Sequence, residues 1–209
     1  MAALWQGDPV SGAGADVATL KTQDLVGYEE NPGPVQDLIE TALSLTRKKL
    51  GYRFGSNCPK KGGMDCSGAV QHVLMECGLD EVPRMSHHIF LWAKHTDRLR
   101  QMKNVFNVEH KAFAYLKPGD LLFWEGTYDT EDRNPPISHV MIYLGRSKKD
   151  GKHVAFGASN GRSFRGKVIH GVSVFDFRLP PEGSKSKFVA YGPVPGLGVS
   201  VNRETVSAE

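Results

Sequence analysis

Cysteine is scarce in this chain: Cys58, Cys66 and Cys77 are the only three in 209 residues. Three unevenly spaced thiols do not make a disulfide framework, and without a CxxC pair a structural zinc site is not expected. The odd count leaves at least one thiol free. Long apolar runs are also missing, and none approaches the roughly 18 residues of a membrane span. Charge of one sign is nowhere concentrated. The net charge is +3 and the pI near 8.7, with basic residues in scattered pairs such as Lys60 with Lys61 and Lys148 with Lys149. This argues against a dedicated nucleic-acid binder, which carries a concentrated basic face, yet suits an anionic substrate. The opening "MAALWQGDPVSGAGADVATL" lacks the basic and apolar regions of a signal peptide.

What is present is the composition of a globular protein, 40% hydrophobic and 23% charged. Residues 1–34, rich in Gly, Ala, Asp and Pro and ending in "NPGP", read as an irregular arm. In "VQDLIETALSLTRKKLG", Val35, Leu38, Ile39, Ala42, Leu43 and Leu50 share a helical face, with Gly51 as the stop. A second helix follows "GGMD", its positions Val70, Val73, Leu74 and Cys77 at a 3.6 period, and a third starts at Ser86. Beyond residue 115 the period changes. "LLFW", "ISHVMIYLG", "KHVAFGAS", "GKVIHGVSVFDF" and "SKFVAYGPV" read as strands. Helices first and strands later predict an α+β domain over residues 35–195, with 196–209 as a tail.

The stretch "GGMDCSGAVQHVLMECG", residues 62–78, carries the chemical question. A thiol attacks only as the thiolate, and a cysteine in the first turn of a helix is favoured as the anion by unpaired N–H groups and the helix dipole. An imidazole from elsewhere in the chain would complete a nucleophile. Of eight histidines, His139 stands out at the head of "HVMIYLG", the most strand-like run. His72, His95 and His110 read as ordinary helix and loop residues. Each signal also has a plain reading: Cys66 as a buried structural thiol, and His139 as a strand-end histidine.

Taken together and in order, "GYRFGS", "DCSG", "VPRMS", "LKPGDLLFW" and "SHVMIYLG" resemble the NlpC family of cell-wall cysteine peptidases over residues 36–192. The resemblance implies a papain-like core, with the cysteine helix packed on a small antiparallel sheet. It implies Cys66 as nucleophile and His139 as its acid–base partner. Tyr52 resembles the tyrosine that faces the nucleophile and supports oxyanion or substrate. Asp65 and Ser67 match residues that hold a substrate's free amino group, although Asp65 also suits a helix cap and Ser67 a plain first-turn residue. Arg84 and Ser86 fall in the groove segment, Ser86 being equally suited to cap the next helix.

The departure is at the third catalytic position, where the family usually places a polar residue and this chain has Gly157. His153, four residues earlier on the same strand face, and Ser159 are the substitutes, a backbone carbonyl or a water being others. Cys77 reads as core. Cys58 reads as a loop thiol, and its disulfide with Cys66 would silence the site. The implied activity is hydrolysis of peptidoglycan stem peptides, with the γ-D-glutamyl to diamino-acid bond as the usual target. No cofactor or metal is expected, and the protein is expected to be a monomer of the cell envelope or secreted. Its role is either remodelling of the cell's own wall or attack on a rival's, the latter implying an immunity or inhibitor protein. A non-hydrolytic wall-binding module and an acyl or amide transferase are the competing readings. The arm of residues 1–34 either straps across the cleft or presents a recognition surface.

Overall fold

The computed structural model describes residues 16–131 and 133–198. Helix α1 spans Gly33–Thr46 and buries Leu38, Ile39, Ala42, Leu43 and Leu45. It ends five residues before the expected stop at Gly51. Lys49 adopts a left-handed φ of 51°, which no α-helix accommodates. Leu50 is nevertheless buried, and that burial gives the sequence its appearance of one more helical turn.

Two short parallel strands, β1 (Gly51–Tyr52) and β2 (Gly63–Met64), bring the two ends of the following loop together. Helix α2 (Cys66–Glu76) starts immediately after β2, and α3 spans Ser86–Lys94. The rest of the domain is a six-stranded antiparallel sheet. Its strands are β3 (Arg100–Gln101), β4 (Leu121–Glu125), β5 (Ile137–Arg146), β6 (His153–Phe164), β7 (Lys167–Asp176) and β8 (Lys187–Gly192). They lie in the order β3-β8-β4-β5-β6-β7. This is the α+β architecture expected from helices followed by strands, with the sheet's two-residue edge strand β3 having no signal in the sequence.

Central strands β4 and β5 are buried along nearly their whole length, because both faces of the sheet are covered. Alternation along β4 sends Phe123 edge-on against Phe90 of α3 at 5.3 Å. Its neighbour Trp124 faces the other way, into Phe177 and Phe188. One face therefore packs on the helices and the other on an aromatic layer. The described part of the N-terminal arm joins this core: Leu20, Leu25 and Tyr28 are buried, and Ala18 exchanges hydrogen bonds with Ser173 and Val174 of β7. Residues 1–15 of the arm and 199–209 of the tail lie outside the described residues. Among the described residues, no helix is long and apolar enough to cross a membrane.

Candidate active site

Helix α2 begins at Cys66 because Asp65 caps it. With extended backbone (φ −90°, ψ 177°), Asp65 accepts the Gly68 N–H at 2.7 Å through Oδ1, satisfying one of the unpaired first-turn donors. Its other oxygen accepts the Gly55 N–H at 2.8 Å, which ties the loop after β1 to the helix start. Arg84 closes the network with a bidentate pair to Asp65, at 3.0 and 2.6 Å, and a third bond to Ser67 Oγ at 2.9 Å. Ser67 in turn donates to Asp65 Oδ1 at 3.3 Å. Asp65 and Ser67 thus both order the helix start, and both line an open cleft.

That cleft, about 240 Å³, is walled by Tyr52, Asp65, Cys66, Ser67, Arg84 and Ser86 together with Phe54, Gly55, Met85, Tyr128 and Arg133. Every residue singled out for substrate contact lies in it. No described residue of the arm lines it. Ser86 is not the cap of α3, a position held by Met85; its hydroxyl donates to the Ile137 carbonyl at 2.8 Å and pins α3 to the head of β5. The loop residues Phe54, Tyr128 and Arg133 escaped sequence reasoning. Phe54 and Tyr128 meet edge-on at 6.1 Å, and Arg133 donates to the Tyr128 hydroxyl at 2.7 Å. The only advance signal was an apolar or basic side chain in a turn, where packing gives no reason for it.

Cys66 lies at the back of the cleft, 5% exposed. Strand β5 pairs with β4 from Ile137 onward, but its ladder with β6 begins only at Ile142. The first turn of α2 meets the unpaired stretch of β5. Cys66 Sγ lies 3.9 Å from the Ser138 carbonyl oxygen, and the Val140 backbone N–H supports the anionic form of the sulfur. The thiol is therefore set against the backbone on both sides of His139. His139 is itself buried, directly opposite Trp124 on β4, with the two rings 5.5 Å apart. Its Nε2 has no hydrogen-bond partner among the described residues.

Burial dominates the charge states. It pushes the Cys66 thiol up to about 11, with Asp65 adding to the rise and the Val140 and Ser67 backbone and Arg84 opposing it. Burial, assisted by Arg162, holds His139 well below its ordinary value. Tyr52 is raised by burial and then by Cys66 and Asp65, so its phenol keeps its proton and remains a donor. Both shifts run toward a neutral thiol and a neutral imidazole. Alkylation of Cys66 by iodoacetamide is expected to accelerate through pH 9 and beyond, since only the thiolate reacts. A rate already flat from pH 5 to 9 contradicts this assignment.

His153 does not reach the site. It pairs with Arg146 at the far end of β5, seven residues from His139 and hence ~23 Å along the strand. There it is within 2.5 Å of the Tyr143 hydroxyl and 3.2 Å of Glu109. Same-face periodicity was correct as far as it went, but the strand carries His153 to the wrong end. The space beside Gly157 is taken by Met141: a Cβ at position 157 would meet its side-chain atoms at 3.1 Å, so Met141 would have to give way to any side chain there. Ser159 is buried on β6 opposite Gly171. Cys58, Cys66 and Cys77 are all free thiols.

Cys66 thus stands at a capped helix start, against the His139-bearing strand of an antiparallel sheet. The model of the NlpC/P60 family matches residues 49–173. The chain belongs to the NlpC/P60 family. Its fold is the α+β, papain-like one of that family, whose members are generally cysteine peptidases. Among solved structures, a protein described as similar to lipoprotein, NLP/P60 family, from Staphylococcus aureus subsp. aureus Mu50 matches with 20% identity and a TM-score of 0.48. The match covers 78% of this NlpC/P60 chain and 42% of that protein's chain. No curated protein matches it.

Proposed function

We propose that the protein is a cysteine hydrolase that cuts amide bonds in peptidoglycan stem peptides, with the γ-D-glutamyl to diamino-acid bond as its target. The observation that carries this reading is the position of Cys66, at the head of α2, in a cleft with Tyr52, Asp65, Ser67 and Arg84 and against the backbone flanking His139. In the reaction, the thiol leaves the Ser138 carbonyl and His139 takes its proton as sulfur bonds to the substrate carbonyl carbon. The Tyr52 hydroxyl donates toward the developing oxyanion. The imidazolium then protonates the leaving amine, and water, activated by His139, hydrolyses the thioester. Asp65 and Ser67 receive the substrate's free amino group at the cleft floor, and Arg133 and Arg84 favour its carboxylates.

The working unit is the domain of residues 35–195 together with the arm residues from Ala18 onward that pack on it, acting as a monomer at the cell envelope or outside the cell. An immunity or inhibitor protein is its partner if it is exported against a rival. The test is mass spectrometry of defined stem peptides, with free and with acetylated N-termini, after incubation with the protein. Fragments that part D-glutamate from the diamino acid, formed only from the free-amine peptide, are expected. Intact peptides throughout, with a peptide bound but unchanged, would replace this reading with a binding module; capture of the acyl group by added amine in preference to water would replace it with a transferase.

A further inference from the structure

Two buried polar atoms at the site are without hydrogen-bond partners among the described residues, His139 Nε2 and Trp124 Nε1. The third catalytic side chain that would meet such an imidazole is absent, and Met141 fills the space against Gly157. One charged side chain does reach this face. Between Asn160 and Arg162 the register of β6 against β7 shifts, with Gly161 at φ 110° as the extra residue. Strict alternation would have put residue 162 on the face of Asn160, which turns outward to His170. The bulge instead puts Arg162 on the face of Gly157 and Met141, where its Cζ lies 4.5 Å from the centroid of the Trp124 ring. Trp124 in turn packs on His139. Arg162 forms no ion pair with any carboxylate among the described residues, so its charge is not cancelled locally.

We propose that Arg162 is a positioning residue of this site, an inference that rests on the reading of Cys66 and His139 given above. Laid across Trp124, its guanidinium holds the indole against the imidazole and supplies the fixed positive charge that governs how thiol and imidazole share a proton. A cation in that place opposes imidazolium and favours thiolate. The couplings run in those directions: Arg162 lowers His139, and Cys66 raises Arg162, whose burial otherwise brings it down to about 10. The other groups facing the pair act mainly on the thiol. Asp65 at the α2 cap opposes the thiolate, Arg84 before α3 supports it, and Tyr52 on β1 is an uncharged phenol. Among the described residues, Arg162 is thus the cation that acts on His139 and also feels the charge of Cys66. A neutral or acidic polar partner at the third position would stabilise imidazolium. Arg162 does the reverse and keeps His139 available as a neutral base.

The test compares wild type, Arg162→Met and Arg162→Lys, with no substrate present. The His139 ring is titrated by NMR, and the iodoacetamide rate at Cys66 is followed against pH. In Arg162→Met the His139 midpoint is expected to rise and the alkylation rate at pH 8.5 to fall about fivefold, a shift of roughly 0.7 pH unit. Arg162→Lys, which keeps the charge, is expected to leave both near wild type. Unchanged midpoint and rate in a folded Arg162→Met overturn the proposal and leave Arg162 as packing for Trp124. If Arg162→Met does not fold, wild type alone still decides: a His139 midpoint at or above 6.5 overturns it. Failure of stem-peptide cleavage with the titrations moving as described would reject the hydrolase reading and not this one.

Discussion

Alanine at position 139 is expected to lower kcat/KM on a cleaved stem peptide by about 10²- to 10⁴-fold, the range for loss of a positioned proton-transfer group. The same substitution should leave the rate of Cys66 alkylation at pH 8 nearly unchanged. The two outcomes belong together because of the resting charge states. Burial keeps His139 neutral and the Cys66 thiol protonated, so the imidazole does not hold a thiolate in the free protein. The thiol instead touches the Ser138 carbonyl at 3.9 Å. Removing His139 therefore costs the proton transfer that accompanies attack on substrate, and little of the intrinsic thiol reactivity. A site with a preformed ion pair would lose both together. Some stability is lost as well, since a buried ring packed on Trp124 is removed and leaves a cavity, so kcat/KM is compared well below the variant's unfolding transition.

Gly68→Ala is expected to be among the damaging small substitutions in the domain, with destabilisation of about 3 kcal/mol and a fall in Tm of roughly 10 °C. Gly68 is the third residue of α2, facing the loop after β1. A Cβ there would lie 2.2 Å from the Ser56 carbonyl oxygen and 2.9 Å from Asn57 Cα. Both are backbone atoms, so no side-chain rotation relieves the clash. The loop or the helix start must move, and both carry the site. Ser56 O accepts the Asp65 N–H at 3.0 Å, and Gly55 N–H donates to the Asp65 carboxylate. Cleavage should fall by more than unfolding alone explains at 20 °C, because Tyr52 and Asp65 are displaced together. Thermal unfolding followed by circular dichroism, with cleavage measured well below the transition, separates the two effects. A Tm within 2 °C of wild type would mean that the loop is not clamped to α2 as described.

The start of α2 was legible because its information is local. Asp65, Cys66, Ser67 and Gly68 are consecutive, and capping, first-turn donors and the need for a small third residue all act within one helical turn. His139 was legible for a different reason: a buried central strand leaves a continuous apolar run, and a histidine interrupts it visibly. Tyr52 and Arg84 carry little signal by themselves and were found through resemblance to the family. The end of α1 was misplaced because Leu50 is buried by tertiary packing after the helix has stopped, and hydropathy does not separate the two causes. His153 was a reasonable candidate by strand face, but only the β5–β6 register shows that it pairs at the opposite end of the strand.

Arg162's place over Trp124 was not legible in the sequence. Its orientation depends on a bulge at Gly161, and one inserted residue reverses which face every later side chain takes. Trp124 opposite His139 is likewise a matter of register between two strands. Phe54, Tyr128 and Arg133 converge from separate loops, and no periodicity records that meeting. What the sequence withheld is thus long-range register and loop placement, while what it displayed is chemistry confined to a few consecutive residues.

The central claim is that Cys66 is the attacking group, and the most direct measurement is cleavage of one defined stem peptide by wild type and by Cys66→Ala under identical conditions. The variant's fold is checked by its unfolding transition. Cleavage by wild type, with none detectable from a folded Cys66→Ala, is the predicted result. Equal cleavage by both proteins would contradict the account, because the reaction would then proceed without the thiol on which every other assignment depends.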